Sequence, residues 1–144
     1  MCIRDSHYVL QAALAAIDGW VRTGRPPVST APLMLAPVAK PGDVPDLVHA
    51  MNGIARGGVR TPWVDVPTIR LSGKGDPNSF IGMLAGSGDP FDKAALARLY
   101  PGGKADYLRR FTRSLDLAIR AGHILREDRQ EILDIAAINF DAAP

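Results

Sequence analysis

Between Arg56 and Gly73 the chain reads RGGVRTPWVDVPTIRLSG, an order of residues that few backbones can carry. Gly57 and Gly58 open conformations closed to residues with a Cβ. Pro62 and Pro67 fix their own φ and push Thr61 and Val66 toward extended geometry. Val64, Val66, Ile69 and Leu71 add β-prone apolar side chains. The pattern predicts a tight turn running into one extended strand. Two prolines so close place that strand at a sheet edge or in a pinned loop. On one reading the segment is a structural clamp. On the other, Arg60 and Trp63 face a binding pocket.

Helical periodicity dominates the two ends of the chain. From His7 to Arg22, Leu10, Ala13, Leu14, Ile17 and Val21 recur at helical spacing, and Trp20 widens the stripe. Ser6 is placed to cap this helix, and Gly24 followed by Pro26 and Pro27 stops it. Such a helix carries too much apolar surface to stand alone. At the other end, a helix is predicted over 90–100, with Asp89 or Asp92 as cap and Pro101-Gly102-Gly103 as stop. Tyr107, Phe111, Leu115 and Ala118 mark a second over 104–121, ended by Gly122. Glu127 to Asn139 forms a third, its acids suiting a helix N-terminus. The turn between the last two is short, which makes them antiparallel neighbours.

The middle is irregular. Residues 25–46 hold six prolines and predict an extended crossing segment, with Leu33, Leu35 and Val38 as a short strand. Asn52-Gly53 is a turn signal. It predicts a hairpin between Leu47–Met51 and a return strand at Val64–Leu71, made irregular by Arg56–Pro62. Residues 72–89 read as a long loop anchored by Phe80, Ile81, Met83 and Leu84. Residues 1–6, MCIRDS, fit nothing that follows and resemble translated sequencing-adapter sequence, of the kind that heads open reading frames assembled from environmental DNA.

Composition removes several classes. The 144 residues suit one domain. A net charge of only +2, with no basic block interleaved with aromatics, argues against nucleic-acid binding. No apolar run reaches the roughly 18 residues that cross a membrane. Cys2 is the single cysteine, so no internal disulfide forms and no redox compartment is assigned. Cys2, His7, His49 and His123 lack metal-ligand spacing, and no cofactor is expected. The nearest approach to a nucleophile elbow, Ala85-Gly86-Ser87-Gly88-Asp89, lacks the Gly-x-Ser-x-Gly spacing. It also lacks the Gly-Lys-Ser/Thr of a phosphate loop. Of the histidines, His123 and His49 read as exposed surface, and His7 is the functional candidate. Asp65 points to solvent or pairs with Arg60.

Three separated stretches nevertheless resemble one family. The first is His7-Tyr8-Val9 with Gln11-Ala12-Ala13-Leu14, Asp18, Trp20-Val21, Gly24 and Pro26-Pro27. The second is Asn52 to Pro67, with Gly57-Gly58-Val59-Arg60 at its centre. The third is Pro90-Phe91-Asp92, Leu96, Leu99-Tyr100-Pro101, Asp106-Tyr107 and Leu125 to Asp128. In this order they resemble the alpha/beta hydrolase domain-containing proteins, a large bacterial family, over His7 to Asn139.

The resemblance implies the C-terminal portion of an α/β protein. As present it is mostly α, with one or two short strands or an irregular hairpin and long Pro/Gly-rich loops. Residues 1–6 would be a non-native leader, 7–24 the last helix of a hydrolase core, 25–89 a wrapping segment with the hairpin, and 90–144 the C-terminal helices. It implies a serine hydrolase of a small-molecule ester or related acyl bond, whose nucleophile, histidine base and carboxylate lie in an N-terminal core outside this chain. No catalytic serine falls on Ser72, Ser79 or Ser87. Arg60, Trp63 and His7 remain as substrate-pocket candidates, and the chain alone would be inactive. The alternative is a self-contained binding module with no catalysis, whose proline-rich arm grips a partner.

Overall fold

Residues spaced for helix become the helices that organise the chain in a computed structural model, which describes residues 3–51, 53–73, 75, 80, 86–142 and 144. In chain order the elements are α1 (Ile3–Thr23), the single turn α2 (Pro62–Asp65), strands β1 (Ile69–Ser72) and β2 (Ser87–Pro90), and helices α3 (Lys93–Leu99), α4 (Gly103–Arg120) and α5 (Arg129–Asp141). A 3₁₀ turn, Arg126–Asp128, leads into α5. The described residues are thus mostly helical, with one two-stranded antiparallel sheet and a few isolated β-bridges.

α4 is the centre. Its Tyr107, Phe111, Leu115 and Ala118 sit one above another on one face, and each is buried. α5 returns antiparallel and lays Ile132 and Ala136 against them. The turn between them is a Schellman motif: Gly122 (φ +77°) donates to Ile119 O at 3.0 Å, and His123 donates to Ala118 O at 3.0 Å. Aromatic rings complete the core. Tyr107 stacks on Phe140 at 4.9 Å and meets Phe111 at 5.5 Å. Trp63 meets Phe111 in a T-shaped pair at 5.6 Å and stacks on Tyr8 of α1 at 5.7 Å. Each such pair adds about 0.5–1.5 kcal/mol beyond its burial. The Asp92 carboxylate caps α3 by accepting from Ala95 N at 2.6 Å.

The predicted strand over Val64–Leu71 divides in two. Pro62 occupies the first helical position, where its missing N–H costs nothing, and 62–65 close one helical turn with Trp63 pointing inward. Only Ile69–Ser72 is extended. It pairs antiparallel with Ser87–Pro90, at the end of what reads from sequence as loop. Tyr100 Oη donates to Pro67 O at 2.8 Å and holds the bend between the two halves.

The hairpin predicted after Leu47 forms, with a different return strand. His49 pairs with Ala55 across the turn, whose Asn52 lies outside the described residues. The partner is therefore Ile54–Arg56. Leu33 and Leu35 join them. Met34 N donates to Arg56 O at 2.9 Å, Arg56 N to Val48 O at 2.8 Å, and Val48 N to Met34 O at 2.9 Å. Three short strands therefore close on one another as a triangular prism, each paired with both others. At Gly57 (φ +78°) a Cβ would stand 2.3 Å from Pro32 O, so only glycine lets the third strand leave the prism.

Other expectations also change. α1 begins at Ile3, so Ser6 lies within the helix and does not cap it. Phe80 is 75% exposed and anchors nothing; Ile81, Met83 and Leu84 lie outside the described residues. His123 is half-buried, with Nε2 3.2 Å from Thr30 Oγ1, because the proline-rich arm crosses the α4–α5 turn there.

One carboxylate makes the fold sensitive to acid. Asp106, buried in the first turn of α4, takes Arg110 at both oxygens (2.9 and 2.8 Å) and also pairs with Arg109. The Arg110 guanidinium holds its carboxyl below the usual carboxylate range. A depressed folded value means stabilisation that is present at neutral pH and lost as pH falls below roughly 4 and through the folded value. Asp106→Asn should melt below the native chain at pH 7, and the gap should close as pH falls toward 3. A gap independent of pH in thermal melts would show that the charge is not what Asp106 contributes.

Candidate functional site

Between α1 and the 59–73 segment lies a cleft of about 590 Å³. Val9, Leu10 and Ala13 form one wall; Leu33, Val59, Thr61, Val64 and Leu71 form the other, with Ser6, Ser72 and Gly73 at the ends. No ionisable side chain lines it. Its polar atoms come from the backbone and from Ser6, Thr61 and Ser72. The Thr61 hydroxyl is buried without a hydrogen-bond partner among the described residues. The cleft is suited to an apolar group and holds no acid, base or nucleophile of its own beyond those three hydroxyls.

The three sequence candidates do not converge there. Arg60 turns away: Nε donates to Asp65 Oδ1 at 2.8 Å, and NH1 donates to Ala55 O at 3.0 Å. Asp65 also accepts from Ser114 Oγ at 3.4 Å, so the pair ties α2 to α4. Trp63 is 8% exposed and belongs to the aromatic core. The cleft instead receives their neighbours Val59, Thr61 and Val64. The sequence carries no signal for these three, because the inward direction of Trp63 depends on the helical turn at Pro62–Asp65, which the β-prone residues around it conceal.

His7 stands apart, on the exposed side of α1. It borders a second hollow of about 310 Å³ with Tyr8, Glu131, Ile135, Ile138 and Asn139. Burial, with the Glu131 carboxylate second, pushes the Tyr8 phenol up to about 12. His49 is exposed, as its sequence context predicts. Among the described residues no group of three or more His, Cys, Asp or Glu side chains is arranged to hold a metal ion. No described helix is long and apolar enough to cross a membrane.

An apolar surface with no cover among the described residues lies on α1. Only Tyr8 and Ala12 of its described side chains are buried, while Leu10, Leu14, Ile17, Trp20 and Val21 stand about half exposed or more. Spaced by three and four, they form one continuous apolar stripe running from the cleft to the helix end. The Val64–Leu71 run differs: Val66 is buried and Val64, Ile69 and Leu71 are half-buried.

No curated protein and no solved structure matches the chain. A family model does, the alpha/beta hydrolase domain, over residues 4–134. That span takes in the α1 stripe, the Gly57-Gly58 turn and the α4–α5 pair together, so the chain belongs to the alpha/beta hydrolase domain family.

Proposed function

We propose that this chain is the C-terminal part of a serine-type hydrolase acting on an ester or related acyl bond, with the catalytic core preceding it. The open stripe on α1 carries the reading. In water, an amphipathic helix of 21 residues is stable when its apolar face is covered. In this chain that face has no cover among the described residues. A hydrolase sheet laid on the stripe would bury it, and α1 would then be the last helix of the core. The nucleophile, the histidine base and the carboxylate would come from that core, with the serine adding to the acyl carbonyl as its proton passes to histidine. This chain would supply one wall of the acyl pocket through the 590 Å³ cleft, its Val59, Thr61 and Val64 held in place by the Arg60–Asp65 pair and by Trp63 in the core. His7 would lie outside that wall.

A second reading has one observation in its favour. The aromatic core joining α2 to α5 is closed on itself, which suits a binding module that needs no hydrolase body.

The upstream reading frame separates the two. The hydrolase reading expects an in-frame Gly-x-Ser-x-Gly on a strand–turn–helix, and a protein extended to include it that hydrolyses a chromogenic short-chain ester. Leu14→Glu with Ile17→Glu should abolish that activity by lifting α1 off the core. The same pair in the 144-residue chain should leave its melting unchanged, because both side chains are already exposed. An upstream frame without an elbow, or an extended protein without esterase activity, would overturn the proposal in favour of the binding module.

A further inference from the structure

At the end of the molecule where α4 hands over to α5, three guanidinium groups surround one carboxylate. Asp116 lies on α4. Arg129, the first residue of α5, donates from Nε to Asp116 Oδ1 at 2.8 Å and from NH2 to Oδ2 at 3.4 Å. That pair ties the two helices together. Arg120 and Arg126 line the same hollow, about 310 Å³ in volume, with the aliphatic side chain of Ile119. Neither forms a hydrogen bond or an ion pair within 4 Å among the described residues. Three positive groups against one negative leave an excess of two charges in a small space.

Beyond the Asp116–Arg129 pair, this arrangement does little for the fold. Of the two remaining arginines only Arg120 has a structural use, since a cation at the carbonyl end of α4 meets the negative end of that helix. Arg126 and Arg129 open the 3₁₀ turn and α5, where the exposed N–H groups make a cation unfavourable. Acidic neighbours do not neutralise them. Glu127 follows Arg126 in the chain but forms no ion pair with it among the described residues. The Asp128 carboxyl, held above its usual range by burial and then by Glu131 and Glu127, belongs to the acidic side facing His7. The mutual repulsion of Arg120, Arg126 and Arg129 is offset only in part by Asp116, and an anion between them would offset the rest.

We propose that this hollow is a binding site for a doubly charged oxyanion, a phosphate group, held by the free forks of Arg120 and Arg126. Guanidinium forks match the paired oxygens of phosphate in both geometry and charge. Asp116 and Arg129 position the pocket and do not touch the ligand. The site is independent of the acyl chemistry, lying on α4 and α5 and sharing no lining residue with the cleft.

The test is a titration of the 144-residue chain with inorganic phosphate against sodium chloride at matched ionic strength, followed by arginine side-chain NMR and thermal melting. Phosphate should shift the Arg120 and Arg126 Nε–H signals saturably and raise the melting temperature above the chloride control. Arg120→Gln and Arg126→Gln should each weaken binding about tenfold or more, the scale of one charge-assisted hydrogen bond. Arg98→Gln, on exposed α3, removes the same charge elsewhere and should leave binding unchanged. Glycerol phosphate in a parallel arm identifies the source: tighter binding than inorganic phosphate marks the phosphate as part of an organic molecule, equal binding marks the free ion. No phosphate effect beyond chloride, or equal losses in all three variants, would overturn the proposal.

Discussion

Phe111→Ala is expected to cost about 3–5 kcal/mol, the range for truncating a fully buried aromatic ring. The total stability of a domain is roughly 5–15 kcal/mol, so the variant should be close to unfolding at moderate temperature. Phe111 is 0% exposed and joins the Trp63 ring of α2 to the Tyr107 ring of α4. Its removal leaves Trp63 without its T-shaped partner, and Trp63 is also the partner of Tyr8, the main buried side chain of α1. The loss should therefore spread to the α1 attachment. Urea unfolding of the variant beside Leu117→Ala provides the check. Leu117 is exposed on the opposite face of the same helix and should change stability by about 0.5 kcal/mol or less. A Phe111 loss no larger than that of Leu117 would move the centre of the core away from α4.

Gly57→Ala should open the triangular prism while sparing the helices. Two costs act together. A residue with a Cβ held at φ +78° loses roughly 1–2 kcal/mol. The new methyl also stands 2.3 Å from Pro32 O and 3.0 Å from Met34 N, both backbone atoms that have no rotamer to retreat into. The strands must part, and the ring of hydrogen bonds through Met34, Val48 and Arg56 is lost with them. Amide hydrogen exchange reads this directly: those three amides should lose protection in the variant while Phe111 and Leu115 keep theirs. Unchanged protection at Met34 would mean that the prism tolerates the methyl and is looser than its geometry states.

How far the sequence disclosed this depends on the range of the interaction. The helices at 93–99, 103–120 and 129–141 were legible because their signals are local: apolar residues at three and four, a capping Asp92, a stopping Gly122. The closed core between α4 and α5 follows from the short turn joining them. Val64–Leu71 misled because β-branched residues favour strands, yet Pro62 at a helix start decided the backbone first. The return strand Ile54–Arg56 is three residues long, too short to show alternation, and its pairing with Leu33 and Leu35 is non-local. The site was less legible than the fold. Arg60 and Trp63 stand out as residue types, and conspicuous residues are also what a core and an ion pair recruit. Family membership was legible from Gly57-Gly58 and its flanking motifs, because a motif in order carries more than any residue within it.

The prism has a consequence for how the proline-rich arm behaves in a crowded solution. A strand usually exposes a row of unpaired N–H and C=O groups along at least one side, and such a row can capture another chain. In the prism the bonds come from alternate residues, Met34, Ala36, Val48, Ala50, Arg56 and Gly58, so the strands share their inner edges, while the amides of Leu33, Leu35 and Leu47 on the outer edges make no backbone hydrogen bond among the described residues. Six prolines over 25–46 deny donors along the approach. A segment that is extended, apolar at Leu33, Met34 and Leu35, and laid at the surface would otherwise be a seed for fibrils. What guards this arm is therefore the shortness of its strands and the prolines that interrupt it, two of the devices by which an open edge is kept from recruiting a neighbour.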